Sequence, residues 1–270
     1  MYALFFDKSA NDSQALQNHV EGWKQSNNIH AEEYKLESVD QITTICREHG
    51  KKYSTIIAIG NENTFEALVS ESRYFSDQAV LGYIPTSTNL LAKRLGIKDY
   101  KDGCNVIAQR KVIELTALSV NQRYFLFDFQ LSAMQSDNTT PIKLHIHLDK
   151  SLQIDLPTDI IILHNRNQEL LPHNSPILLE AFSRKTLSSD KNNILKMASQ
   201  RFNAVNTDEN RLQLRIPANT LRIESSAELK DGYGHSIKLP VTIGVNKKSV
   251  RLIVKKGQEL QAILSPGLIS

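Results

Sequence analysis

The run Ile56-Ile57-Ala58-Ile59, entered from Thr55, ends abruptly at Gly60 and gives way to Asn61-Glu62-Asn63-Thr64. A strand with no polar side must be covered on both faces, which calls for a parallel sheet between helices. The neighbouring sequence supplies the partners. Tyr2 to Phe6 is a short apolar run closed by Asp7, and the polar stretch Lys8 to Ser13 leads into Ala15, Leu16, His19, Val20 and Trp23 on one helical face. Alternation over Ala31 to Leu36 predicts a second strand, and Val39, Ile42, Ile45 and Cys46 predict an amphipathic helix stopped at His49-Gly50. Phe65, Ala67, Leu68 and Val69 begin a third helix, Ala79 to Ile84 is a strand closed by Pro85, and Leu90 to Leu95 and Asp102 to Gln109 are short helices. This rhythm predicts a doubly wound α/β domain.

The pattern then changes. Val112 to Val120 and Tyr124 to Leu131 are expected to pair as a hairpin across Asn121-Gln122-Arg123. Beyond about Gln135 come short alternating segments: Ile142 to Leu148, Leu152 to Leu156, Ile160 to His164, Leu212 to Ile216, Leu221 to Glu224, Ile237 to Leu239, Val241 to Val245 and Val250 to Val254. They predict a β-sandwich. The polar stretch 183–206 reads as a long connection or a short helix around Ile194 to Ala198. With 270 residues, the chain is long enough to split into two cores, expected at 1–118 and 119–270.

Composition narrows the function classes. Thirty-two basic against 29 acidic residues leave a net charge of +3, too little to imply a nucleic-acid partner. The only two cysteines, Cys46 and Cys104, lie in helical stretches and make neither a disulfide framework nor a zinc set, which fits a reducing, cytoplasmic setting. No apolar run reaches about 18 residues and the N-terminus has no basic leader, so neither a secretion signal nor a membrane span is expected.

Two segments carry chemistry. Where the strand ending at Gly60 enters a helix, unpaired N–H groups and the helix dipole attract anions, and glycine permits close approach to the backbone. On the residues alone this is either a phosphate site or an ordinary strand-to-helix turn with Glu62 favoured by the helix N-terminus. The second segment, Leu81 to Ile97, is a strand, a hydroxyl-rich turn (Thr86-Ser87-Thr88-Asn89) and a short basic helix with Lys93-Arg94.

Together these segments resemble the diacylglycerol-kinase family of lipid kinases and its sphingosine-kinase and NAD-kinase relatives. There a strand ends in G-G-D-G-T, and the next ends in a P-x-G-T-x-N-D-like turn before a helix containing A-R. Gly96-Ile97 falls where lipid kinases show L-G-I. Ile107 to Val112 and Asn121 to Leu126 are similar to the passage into the family's β domain. Leu221 to Ser225, Lys230-Asp231-Gly232, Leu239 to Ile243 and Val250 to Val254 are similar to its ending, where D-G-E precedes T-P-V. NAD kinases lack that ending, so the resemblance is to the lipid-kinase branch.

The resemblance implies an N-terminal nucleotide-binding α/β domain, a lipid-kinase-like β-sandwich, and transfer of the ATP γ-phosphate to a lipid hydroxyl with Mg²⁺. Nucleotide contacts fall on Gly60, Asn61, Glu62, Asn63, Thr64, Ser87, Thr88 and Asn89, with Glu62 and Asp231 catalytic. The partners it implies are a nucleotide and a lipid acceptor at a membrane surface, for a cytoplasmic chain peripheral to the membrane; pairing with a second copy of the chain is left open. Several positions depart from the family. Asn61 and Asn63 replace two glycines, Leu90 replaces an acidic residue, and the second turn is one residue shorter. Tyr233 stands where the resemblance implies a glutamate general base, and Asp7 to Asp12 replace an N-P-x-S-G turn. A phenol with an ordinary pKa near 10 is a poor base at neutral pH. The alternative is therefore a catalytically weakened relative that binds nucleotide or lipid as a sensor or scaffold. A third reading is a two-domain protein with no nucleotide site.

The remaining candidates have plainer readings. His145 and His147 share a strand face without a third metal ligand and are expected in solvent. Lys93, Arg94, Lys98, Lys101, Arg110 and Lys111 form either an anion-binding patch or a charged solvent face. Trp23, Phe65 and Phe125 are expected in the core.

Overall fold

The computed structural model describes residues 1–121, 123–133, 143–149, 152–158, 160–165, 177–184, 210–225, 228–231 and 236–258. The chain forms two compact units, 1–117 with 246–270, and 118–245.

In the first unit the strands are β1 (Tyr2–Phe6), β2 (Ala31–Lys35), β3 (Thr55–Gly60) and β4 (Val80–Pro85), in the order β2-β1-β3-β4 and all parallel. Every residue of β3 and β4 is buried, as the unbroken apolar runs require. Helices α1 (Lys8–Asn11), α2 (Gln14–Ser26), α3 (Gln41–His49), α4 (Glu62–Ser70), α5 (Leu90–Arg94) and α6 (Tyr100–Gln109) connect the strands. Ser13 caps α2 by accepting from the Leu16 N–H, and Leu16, Val20 and Trp23 form its buried face. Trp23, Phe65 and Phe125 are all buried, as expected.

β5 (Lys111–Val120) carries the chain into the second unit and β16 (Val241–Val254) carries it back. The last part of β16 lies parallel to β4, with Arg251 opposite Val80. Behind it, the Lys255 N–H donates to the Leu95 carbonyl, and the Lys255 ammonium pairs with Asp102 at 2.9 Å. The sequence division places 119–270 in the β-rich half; in the structure Arg251, Leu252 and Lys255 meet β4 and Leu95 of the α/β unit.

The second unit is a β-sandwich. One sheet has the order β12-β11-β10-β7-β14-β15, built from β7 (Asp128–Ala133), β10 (Ile160–Asn165), β11 (Ile177–Arg184), β12 (Asn210–Ala218), β14 (Leu229–Asp231) and β15 (Ser236–Ile237). Facing it are β8 (Lys143–Leu148), β9 (Leu152–Pro157), β13 (Leu221–Ser225) and the first part of β16, with β6 (Arg123–Phe125) paired to β5. Both sheets contribute to one core containing Leu131, Ile161, Leu179, Ile146, Ile223 and Ile243.

Three strand expectations are corrected. The segment Tyr124 to Leu131 is not one arm of a hairpin: β6 pairs with β5, whereas β7 pairs with β10 and β14 in the other sheet. Phe125 and Leu126 are both buried, which strict alternation on a one-sided strand does not allow, and the chain turns there. Val241 to Val254 is one 14-residue strand rather than two. Finally, β11 and β14 were not expected at all. Most of stretch 183–206, together with Tyr233, lies outside the described residues.

A row of polar side chains runs across the β12-β11-β10-β7 strands of one sheet. His164 on β10 places Nδ1 2.8 Å from Asp128 and Nε2 3.1 Å from Glu180, which also pairs with Arg215 at 3.1 Å. Burial works to lower the His164 pKa, but the hydrogen bonds and charges of Asp128 and then Glu180 outweigh it and hold it above the ordinary value. A pKa raised by folding means stability that is complete below the unfolded value of about 6.5 and is lost as pH rises through the folded one. Urea unfolding is therefore expected to show a more stable second unit at pH 5.5 than at pH 8.5. That difference should shrink in His164→Gln, and an unchanged difference would assign it elsewhere.

Candidate functional site

In the order β2-β1-β3-β4 the chain leaves β1 toward β2 on one side and has β3 on the other, so the topological switch lies between β1 and β3. Open α/β sheets bind ligands outside the carboxyl ends of their strands at such a point. Three turns meet there. Asp7 follows β1, Asn61 follows β3, and Thr86 follows β4.

The turns are tied together by their backbones. The Asp7 N–H donates to the Ile59 carbonyl at 3.0 Å, and the Thr86 N–H donates to the Gly60 carbonyl at 3.0 Å. The same carbonyl accepts from the Tyr83 hydroxyl at 3.1 Å, and the Asn89 amide donates to that hydroxyl at 2.6 Å. Burial raises the Tyr83 pKa; the Asn89 bond opposes this, while the charges of Glu62, Asp7 and Glu66 add to it. Tyr83 is thus a neutral phenol that spaces the two turns.

Asp7 is central to the site and is only 5% exposed. Its Oδ1 accepts from the Ala10 N–H at 2.9 Å and the Ser9 hydroxyl at 2.7 Å, which caps α1. Its Oδ2 accepts from the Asn61 N–H at 2.7 Å and from the Thr64 hydroxyl at 3.4 Å. Gly60 makes this approach feasible. It has φ +145°, and a Cβ there would fall 2.1 Å from the Asp7 carboxyl carbon. Ser9 also meets the Thr86 hydroxyl at 3.2 Å.

The residues singled out by sequence divide by role. Gly60, Asn61 and Thr64 converge on Asp7, and Asn61 also caps α4 by accepting from the Thr64 N–H at 3.3 Å. Glu62 is buried in the first turn of α4, where a negative charge is favoured. Asn63 keeps its buried Oδ1 without a hydrogen-bond partner. Ser87 is exposed, Thr88 donates to the Lys98 carbonyl at 2.9 Å, and Asn89 caps α5 through the Ala92 N–H at 2.8 Å. Asn89 is occupied at both ends of its amide. Asn89→Ala is therefore expected to lower stability by about 1–2 kcal/mol in chemical denaturation; an unchanged midpoint would show that water replaces both bonds.

Asp231 belongs to the other unit. It sits on β14 opposite Leu131, 4% exposed, and accepts from Arg123 at 3.3 Å. Among the described residues, no three His, Cys, Asp or Glu side chains are grouped to hold a metal ion. No described helix is long and apolar enough to cross a membrane. The basic residues after the second turn do not form one patch. Arg94 is buried, Arg110 donates to the Tyr2 hydroxyl, Lys111 donates to the Gln258 carbonyl, and Lys93 and Lys98 are exposed.

No protein-family model and no curated protein matches the sequence. Solved structures do match. A Bacillus anthracis protein described provisionally as a diacylglycerol kinase superposes with a TM-score of 0.70 at 12% identity, over 96% of this chain and 98% of that one. The chain has the diacylglycerol-kinase fold. An NAD kinase from Archaeoglobus fulgidus, solved with ATP, follows at TM-score 0.56 and 9% identity, covering 96% and 95% of the two chains. Yeast NADH kinase, solved with NADH, gives 0.59 and 11%, covering 100% and 88%.

Within the diacylglycerol-kinase fold, sequence reasoning located the β3 and β4 turns but missed Asp7, Ser9 and Tyr83 as parts of the site. The signal for Asp7 was available. An acidic residue directly after an apolar strand, followed two residues on by Ser9, is a helix-capping pattern placed at the end of β1.

Proposed function

We propose that this chain is an ATP-dependent lipid kinase of the diacylglycerol-kinase type, with nucleotide phosphates received at the turns after β3 and β4. The supporting observation is the meeting of those turns at the sheet's switch point, beside the N-terminus of α4. The cradle at Gly60 already holds a carboxylate on a backbone N–H and a hydroxyl, so its donors suit an anionic oxygen. Gly60 to Thr64 and Thr86 to Asn89 would hold the phosphates, and Glu62 would share the Mg²⁺. The bound metal would neutralise charge on the transferring group. The lipid hydroxyl oxygen forms a bond to the γ-phosphorus as the bond to the β-phosphate oxygen breaks. Its proton passes to a carboxylate, leaving ADP and a lipid phosphate; Tyr233 replaces the glutamate base that the resemblance implies, and Asp231 is the acidic residue it keeps near the acceptor. Such an acceptor would bring the chain to a membrane surface from the cytoplasm.

A second reading, a weakened relative that senses nucleotide or lipid, is favoured by the ion pair that engages Asp231 and by the acidic surroundings of the β3 turn. The test is transfer of radiolabelled γ-phosphate to a panel of lipid alcohols, alongside calorimetric titration with Mg-ATP. The kinase reading expects labelling of one lipid class, abolished in Glu62→Ala. Saturable Mg-ATP binding without transfer would select the sensor, and the absence of binding at millimolar ATP would remove the kinase and the nucleotide sensor.

A further inference from the structure

The β1 turn does more than cap a helix. Capping α1 needs only Oδ1 of Asp7, which the Ala10 N–H and Ser9 hydroxyl already satisfy. The other oxygen crosses to a different turn and takes the Asn61 N–H and Thr64 hydroxyl, at the N-terminus of the nine-residue helix α4. An ionised carboxylate accepts up to about four hydrogen bonds, and all four donors are present. The glycine that gives a phosphate access to this backbone has its open side filled by the same carboxyl group, and no Cβ would fit beside it. The occupant therefore has the charge sign, the donors and the position expected of a phosphate oxygen.

We infer that Asp7 is a built-in anion that occupies the phosphate position of the β3 turn, so that a polyphosphate must displace it to bind. This rests on the nucleotide-binding reading and deepens it by naming what controls access to that site. Displacement is local: Asp7 is the N-cap of α1, a helix of only four residues, its backbone N–H stays on the Ile59 carbonyl, and Ser9 beside it meets the Thr86 hydroxyl of the β4 turn. Two anions cannot share the Asn61 N–H, and like charges at that separation repel. The resting chain is consequently a weak binder, and rotation of the Asp7 side chain off the Asn61 N–H converts it to a strong one.

Two variants test this. In Asp7→Ser the hydroxyl can still cap α1 but is too short to reach Asn61, so the cradle empties. Asp7→Asn keeps the shape and the α1 cap while removing the charge, and it decides the matter if the serine variant does not fold. Mg-ATP and inorganic tripolyphosphate are titrated into each full-length protein by calorimetry, with thermal unfolding as the control for folding. Asp7→Ser is expected to bind both ligands about ten-fold or more tightly than wild type, with a smaller gain for Asp7→Asn. Equal saturable binding by wild type and variants would overturn the role of Asp7 and leave the nucleotide reading standing. No binding by any of the three proteins at millimolar ligand would overturn both. Tighter tripolyphosphate binding with no added affinity for Mg-ATP would uphold the Asp7 inference and remove the nucleotide.

Discussion

Gly60→Ala is expected to destabilise the α/β unit by about 4 kcal/mol, a large fraction of the stability of an ordinary domain. Two separate causes add. At φ +145° a side-chain-bearing residue sits in a region used almost only by glycine, at a cost of roughly 1–3 kcal/mol. The new Cβ would also meet the Asp7 carboxyl at 2.1–2.4 Å, and forcing atoms into a filled space costs roughly 1–3 kcal/mol more. The two contributions separate in a double-mutant cycle. In an Asp7→Ala background the clashing carboxyl group is gone and only the backbone cost remains, so Gly60→Ala should then cost about half as much. Urea unfolding of the four proteins measures this. Equal losses in both backgrounds would show that Asp7 does not fill the space beside Gly60.

How much of this was readable in advance follows from the range of the forces involved. The strand Thr55–Gly60 and its helix were legible because burial on both faces leaves an uninterrupted apolar run, and that signal is local. The β4 turn was legible for the same reason, together with Pro85 and the hydroxyl-rich run Thr86 to Asn89 that follows it. Within the sandwich, β11 was missed although Ile177 to Phe182 is almost wholly apolar, since it interrupts the alternating texture that identified its neighbours. The return of the chain from Asn246 to the first unit was hidden because Val250 to Val254 reads the same whether its neighbour is β13 or β4. Asp7 illustrates the harder limit. Its cap on α1 is local, but its bond to Asn61 spans 54 residues and exists only because β1 and β3 are neighbours. Gly60 and Asp7 each carried a local meaning; their joint meaning required the sheet order.

The sandwich gives the opposite kind of expectation, in which the exposed partner matters more than the buried one. Arg123 is 58% exposed at its side chain, whereas Asp231 is 3% exposed, and the two meet at 3.3 Å. If Asp231 becomes asparagine, the guanidinium turns to water and the amide keeps the shape of the site, so the loss should be about 1 kcal/mol. If Arg123 becomes alanine, the carboxylate stays buried and loses the cation beside it. Arg123→Ala is expected to cost about 2 kcal/mol, since removing one partner of a buried charge penalises the charge left behind, less here than in a fully buried pair because the guanidinium is largely in solvent. In the Asp231→Asn background the same arginine substitution should cost under about 1 kcal/mol, because no buried charge remains to be compensated. Denaturation monitored on the second unit decides it. A silent Arg123→Ala would show that the pair contributes nothing to folding. A costly one requires that any loss of phosphoryl transfer in Asp231 variants be measured where the second unit is still folded, with kcat separated from KM, before it is assigned to chemistry.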